Sequence, residues 1–371
     1  MEVPFHRAYT TDREKELVAE AIDSGWITMG PKTILFEEKF KEYCGAKYAV
    51  SMNSATAALH LALKAIGIKE NEEVIIPTNT FISTAEVVTY FNAIPVLCDI
   101  DYKTHNIDPE KIESLITSKT RAIIPVHFGG QICDMDEINT IAKKYNLKVI
   151  EDAAHCLPGF YKGRNVGTLS DITCFSFYAT KTLATGEGGM ATTENEDYSR
   201  SMKINRLHGI SRDAWDRYTA NGSWYYEVVD NGNKYNTTDI NAALGIAQLE
   251  KLELMHEKRK AIAGKYDRAF AEKMEMLTLK TDRVSSYHLY VIKVNNRNEL
   301  IELLKKEGIS ASVHFIPVHM HPYYRERYMY RREDYPVANR VFERSISLPI
   351  YPGMSEEQVN YVTEKVLQHA R

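Results

Sequence analysis

One lysine in this chain stands where a nucleophile would be built. Lys181 follows the apolar run Cys174-Phe175-Ser176-Phe177-Tyr178, and the glycine-rich turn Thr185-Gly186-Glu187-Gly188-Gly189-Met190 follows it. Desolvation lowers a lysine pKa and makes the amine reactive toward carbonyl carbon. A surface lysine between strands is the alternative, and the apolar lead-in and paired glycines argue against it. A second segment, Val149-Ile150-Glu151-Asp152-Ala153-Ala154-His155, ends a buried strand on adjacent carboxylates. Asp152 could pair with a protonated pyridine nitrogen and keep such a ring an electron sink, or could simply cap a helix. In a third, Ser51-Met52-Asn53-Ser54-Ala55-Thr56-Ala57, small residues open a helix whose free N–H groups can hold a phosphate. An ordinary cap by Ser54 or Asn53 explains the same residues. In the fourth, Thr78-Asn79-Thr80-Phe81-Ile82-Ser83-Thr84, Phe81 could cover a flat ring or belong to the core.

The elements that must position these groups alternate along the chain. An opening helix at Asp12–Ser24 precedes a helix from Ser54 to Ile66, a strand at Glu73–Ile76, a helix at Ser83–Phe91 and a strand at Pro95–Cys98. A helix at Pro109–Ile116, a strand at Arg121–Val126, a helix at Met135–Lys144 and a strand at Lys148–Glu151 continue the pattern. Apolar strands alternating with helices predict a mostly parallel sheet covered on both faces, with its ligand at the carboxyl ends of the strands. From Leu252 the pattern changes to a charged helix at Glu253–Lys273, a strand at Tyr287–Val294, and helices at Asn298–Glu307 and Ser355–His369. Two domains are therefore expected, a large α/β domain over 1–251 and a smaller α+β domain over 252–371.

Composition narrows the function classes. The net charge is −4 with Lys and Arg scattered, so no basic stripe is offered to nucleic acid. The longest apolar stretch, Ala55 to Ile66, contains His60 and Lys64 and is too short for a bilayer. The first residues lack the apolar core of a signal peptide, which predicts a cytoplasmic protein. Cys44, Cys98, Cys133, Cys156 and Cys174 are dispersed and odd in number, so neither a zinc ribbon nor a disulfide framework is expected.

Together these motifs closely resemble the DegT/DnrJ/StrS-type aminotransferases, fold-type I pyridoxal phosphate enzymes acting mainly on nucleotide-linked keto-sugars. The resemblance begins at Ser24-Gly25-Trp26-Ile27-Thr28-Met29-Gly30-Pro31 and passes through the four segments above and Lys234-Tyr235-Asn236-Thr237-Thr238-Asp239. It closes on Ser286-Tyr287-His288-Leu289-Tyr290-Val291 and Ser347-Leu348-Pro349. It implies an aspartate-aminotransferase-like fold and a homodimer with shared active sites. It implies Lys181 as the Schiff-base lysine, Asp152 on the pyridine nitrogen, and Ala55, Thr56 and Ser176 on the phosphate. Phe81 and Ala154 would sandwich the ring, and His155 would approach the ring hydroxyl. The partners implied are glutamate and a nucleotide-sugar. Met29 and His319 are the further residues expected at the sugar, His319 through its Pro-Val-His setting.

One stretch departs from the commoner Gly-Tyr-Asn-Tyr-Arg pattern, reading Gly232-Asn233-Lys234-Tyr235-Asn236. The phosphate contact across the subunit boundary falls to Lys234 or Asn236. This version, with the His-Phe-Gly-Gly run at His127, looks like the enzymes that make 4-amino-4-deoxy-L-arabinose on UDP. The related sugar dehydratases carry histidine in place of the lysine, and Lys181 speaks against them. His314, His319 and His321 could form a metal site by their His-x-His spacing, but no nearby carboxylate or cysteine completes one, and no metal is expected. His208 and His288 read as structural. The aromatic-rich stretch from Asp213 to Asn236 could border the sugar site or form dimer core.

Overall fold

The computed structural model describes residues 1–211 and 225–371. Half of the aromatic-rich stretch, including Trp215, Arg217, Tyr218 and Trp224, lies outside the described residues. A seven-stranded sheet forms the large body. In spatial order its strands are Tyr48–Met52, Gly189–Thr193, Ile172–Ser176, Lys148–Asp152, Thr120–Ile123, Glu73–Pro77 and Ile94–Cys98. Only Gly189–Thr193 runs against its neighbours, so the sheet is mostly parallel, as its apolar strands predict. One core under it gathers Phe36, Phe40, Phe175 and Phe177, and another on its opposite face gathers Leu59, Leu61 and Leu63 of the Ala55–Ala65 helix.

Helix Pro31–Cys44 starts on a carboxylate supplied from far along the chain. Asp239, buried, accepts from the Gly30, Lys32 and Thr33 N–H groups at 2.8, 3.0 and 2.9 Å and from Thr33 Oγ1 at 2.7 Å. A helix start leaves these donors without intrahelical partners, and a negative charge there also meets the positive end of the helix dipole. Asp239→Ala strands those buried donors and is expected to cost about 2–4 kcal/mol of stability. Urea unfolding checks this, and a loss below about 0.5 kcal/mol would contradict the capping role.

A three-stranded antiparallel sheet, Glu275–Met276, Tyr290–Lys293 and Ser345–Leu348, organises the smaller body. The helix Leu252–Phe270 joins the two bodies. Leu252 and Met255 pack in a core of the large one, whereas Ile262, Tyr266 and Phe270 pack in that of the small one. Val3 also packs in the small core, held by Val3 N to Gly308 O at 2.9 Å and Ser310 N to Val3 O at 3.0 Å. A cut at Leu252 therefore separates Val3 from the core it fills.

Several expected elements are shorter than their patterns suggest, two of them for reasons visible in their contacts. The helix at Pro109–Ile116 is α-helical only over Pro109–Ile112 and tightens to a 3₁₀ turn at Glu113–Leu115, because Ile116 turns extended. The strand at Tyr287–Val294 begins at Tyr290. The residues before it bond to the large body instead, through Ser286 N to Gly130 O and Leu289 N to Gly129 O, both at 3.1 Å.

Candidate active site

The carboxyl ends of the parallel strands open into a cavity of about 420 Å³. Of the residues singled out by sequence, Ala55, Thr56, Phe81, Asp152, Ala154, His155, Ser176 and Lys181 line it. Each follows directly on a strand or its loop, as expected when ligands sit at strand ends.

At Lys181 the surrounding protein desolvates the amine and lowers its pKa to about 8, and the Asp152 charge opposes that shift. At pH 7 the amine is thus still mostly protonated, but about a tenth of it is neutral, far more than for an exposed lysine. Burial raises the Asp152 carboxyl above its ordinary value, although Thr84 Oγ1 donates to Oδ2 at 2.8 Å and Ala154 N to Oδ1 at 3.1 Å. Asp152 is thus both a strand end and an anchored carboxylate, on which the Lys181 charge acts without a salt bridge among the described residues. His155 is held neutral by burial, and the Gly129 N–H donates to its Nδ1 at 3.3 Å. The acceptor role of Nδ1 puts the ring proton on Nε2.

Ser54 caps the Ala55–Ala65 helix, its Oγ accepting from Ala57 N at 3.1 Å. The ordinary cap and the anion-binding turn are thus the same structure, because the Ala55 and Thr56 N–H groups of the first turn have no intrahelical carbonyl to meet. The strand leading there is fixed by buried Glu37, which accepts from Ser51 N at 2.8 Å and Ser51 Oγ at 2.6 Å and pairs with Arg206.

Gly189 approaches the turn so closely that a Cβ would lie 2.4 Å from the Ser54 carbonyl and 2.6 Å from Ala55 N. Gly189→Ala must push that turn aside, at about 1–3 kcal/mol for overpacking. The expected result is a roughly 10–100-fold weaker hold on a phosphate ligand. Titration of the cofactor-free variant with pyridoxal phosphate reads this, and unchanged affinity would contradict it.

Three expected residues lie elsewhere. Met29 is buried among packing residues and outside the cavity lining, with its carbonyl accepting the Trp26 indole N–H at 2.9 Å. His319 is 1% exposed, bonds Thr78 Oγ1 through Nδ1 at 2.6 Å and Asn339 Oδ1 through Nε2 at 2.9 Å, and stacks on Tyr335. With both nitrogens used, it is a packing residue of the Val318–Met320 turn in this chain and not a wall of the cavity. Asn236 donates to Thr237 O at 3.0 Å, also outside the lining. Its neighbour Tyr235 accepts from Asn53 N at 2.7 Å, which lays the 234–236 run beside the turn.

Sequence reading passed over other walls of the cavity. His288, expected to be structural, and His314, considered only for metal, both line it with Phe5 and Phe315. His155 packs on His288 at 4.4 Å between ring centroids and on Phe315 at 5.7 Å. Ser286 Oγ fixes this wall by donating to His155 O at 2.5 Å. The motif spanning His288 was visible in sequence. Phe5 carried no signal, since its place depends on pairing between the first residues and Gly308. Among the described residues no group of three or more His, Cys, Asp or Glu is arranged to hold a metal ion, and no helix is long and apolar enough to cross a membrane.

Comparison with known proteins places this arrangement. The profile of the DegT/DnrJ/EryC1/StrS aminotransferase family matches residues 8–367. An uncharacterized protein of Methanocaldococcus jannaschii is 51% identical over 98% of this chain and 96% of its own. The spore coat polysaccharide biosynthesis protein SpsC of Bacillus subtilis is 47% identical, again over 98% of this chain and 96% of its own. Among solved structures, the PLP form of Spr1654 from Streptococcus pneumoniae superposes with a TM-score of 0.93 at 34% identity, covering 99% and 98% of the two chains. Helicobacter pylori PseC, an aminotransferase involved in the biosynthesis of pseudoaminic acid, superposes with a TM-score of 0.92 at 29% identity over 99% of each.

Proposed function

The chain belongs to the DegT/DnrJ/EryC1/StrS aminotransferase family, whose cofactor is pyridoxal phosphate, and we propose that it moves an amino group from glutamate to a nucleotide-linked keto-sugar, with C4 as the acceptor carbon. The observation that carries this reading is the pairing of a desolvated Lys181 with a buried Asp152 in one cavity. The similarity to SpsC and PseC, proteins of spore coat polysaccharide and pseudoaminic acid biosynthesis, supports a sugar acceptor.

The residues present fit the cofactor. The turn at Ala55 and Thr56, cradled by Gly189, and the Ser176 hydroxyl would hold its phosphate. Asp152, whose carboxyl is raised by burial, would gain in a protonated ring nitrogen the cation that would stabilise its charge. Phe81 and Ala154 would lie on the faces of the ring, and His155 Nε2–H would meet its hydroxyl. When bound, pyridoxal phosphate supplies the carbon that carries the amino group and a ring that takes up the electrons released at the donor.

Lys181 then has two tasks. As a free amine it would attach the cofactor, and once displaced by the donor the same amine would take the proton from the donor Cα and deliver it to the cofactor carbon that receives the amino group. Capture of pyridoxal phosphate by the cofactor-free protein should therefore accelerate as pH rises toward about 8 and level above it. Asp152→Asn removes the charge that holds this value up, so the midpoint should move to lower pH. Stopped-flow absorbance reads both, and a midpoint that rises in the variant would contradict the coupling.

The site is completed, in this reading, by a second copy of the chain, with Lys234 or Asn236 reaching the phosphate across the boundary. The direct test supplies glutamate and a panel of nucleotide keto-sugars and identifies products by mass. Transfer to a nucleotide 4-keto-sugar with parallel-line kinetics supports the proposal, whereas transfer only to free cyclitol ketones would contradict it.

A further inference from the structure

The walls of the cavity are uneven in charge. Asp152 and Glu187 are its carboxylates, while His155, His288 and His314 bring imidazoles to it. Among the described lining residues Lys181 is the one ammonium or guanidinium group, and it is committed to chemistry. An amino acid donor must bring its Cα to that amine, and its α-carboxylate is one bond away. Recognition of that carboxylate therefore falls to groups near Lys181 that can donate a hydrogen bond. The three imidazoles meet this condition, since burial first and the Lys181 charge with it hold each ring neutral, and a neutral ring keeps one N–H to donate.

Two of the three come from the C-terminal part of the chain with their donor capacity open. His288 is 7% exposed and its buried Nδ1 has no hydrogen-bond partner. His314 bonds Ser347 Oγ through Nδ1 at 2.9 Å, and Nε2 is the other polar atom of the ring. Asp152, an anchored carboxylate of the same cavity, is already engaged by Thr84 and Ala154.

A positive charge acts on His288 as well. Arg259 is 1% exposed and donates to Ile350 O at 2.7 Å and Tyr287 O at 3.3 Å, its Nε has no partner, and among the described residues no carboxylate pairs with it. The Arg259 charge acts on both His288 and His6. A buried cation without a counter-ion is costly unless an anion arrives to compensate it.

Resting on the aminotransferase reading above, we propose that His288 and His314 take the α-carboxylate of the amino donor, and that the uncompensated Arg259 guanidinium supplies the field that selects an anionic donor there. The orphaned Nδ1 of His288 gains an acceptor, and Arg259 gains a nearby negative charge. Arg259 is a positioning residue, since it acts through His288 and does not line the cavity.

The test uses the pyridoxal phosphate-loaded protein and compares glutamate with its α-carboxamide, isoglutamine, in the first half-reaction, followed by absorbance. Wild type should favour glutamate. In His288→Asn and His314→Gln the glutamate-to-isoglutamine ratio should fall about 10–100-fold, the worth of one charge-assisted hydrogen bond. Calorimetry should show 2-oxoglutarate binding weakened to a similar extent in both variants and in Arg259→Met. His314→Gln keeps the test usable should the more buried His288 variant fold poorly. A ratio and a 2-oxoglutarate affinity unchanged in loaded His314→Gln would overturn the proposal with the aminotransferase reading intact. A loaded wild type inert to glutamate would overturn both.

Discussion

Replacing Lys181 with alanine should lower turnover at least about 10⁴-fold, the upper range for loss of a positioned proton-transfer group, since covalent attachment is lost as well. The loss should fall on both half-reactions, because the same amine moves the proton in each direction. The variant should still bind pyridoxal phosphate through the Ala55–Thr56 turn and Asp152, but reversibly, so that dialysis strips it. Lys181→Arg should be equally inactive, since a guanidinium stays protonated and cannot act as a base. Single-turnover absorbance with glutamate measures the loss, and turnover within tenfold of wild type in either variant would remove Lys181 from the mechanism.

Asp152→Asn should be the next most damaging change, lowering turnover about 10²–10³-fold, the range for removing one preorganised electrostatic contact. The substitution keeps the shape and can keep the Thr84 and Ala154 hydrogen bonds, so folding should be nearly unaffected. What it removes is the negative charge that keeps a ring nitrogen protonated. The deficit should lie in turnover more than in donor affinity, and an effect confined to KM would contradict that role.

How much of this was readable from residues depends on distance along the chain. The turn at Ser54, the end of the Lys148–Asp152 strand and the loop to Lys181 are each local, so small residues, a carboxylate and a lone lysine at strand ends were enough to find them. Asp239 was legible as part of a motif but not as the cap of a helix two hundred residues earlier. His288 and Phe5 reach the cavity because Gly129 and Gly130 bond the 286–289 segment and Gly308 bonds Val3, and His314 is held there by Phe315 N donating to Asn79 Oδ1, contacts that no local pattern encodes. His319 misled for the converse reason. Its Pro-Val-His setting resembles a family motif beside the sugar, yet Val318 N donates to Thr78 O at 2.8 Å and both ring nitrogens are satisfied away from the cavity lining. Met29 lies in a motif whose visible task is packing the chain ahead of the Asp239-capped helix.

The most direct test of the central claim is borohydride reduction of the pyridoxal phosphate-loaded protein followed by peptide mass mapping. The account predicts one pyridoxyl phosphate label, on the peptide containing Lys181, and its disappearance when glutamate is added before the reductant. A label on another lysine, or one on Lys181 that glutamate leaves in place, would contradict it.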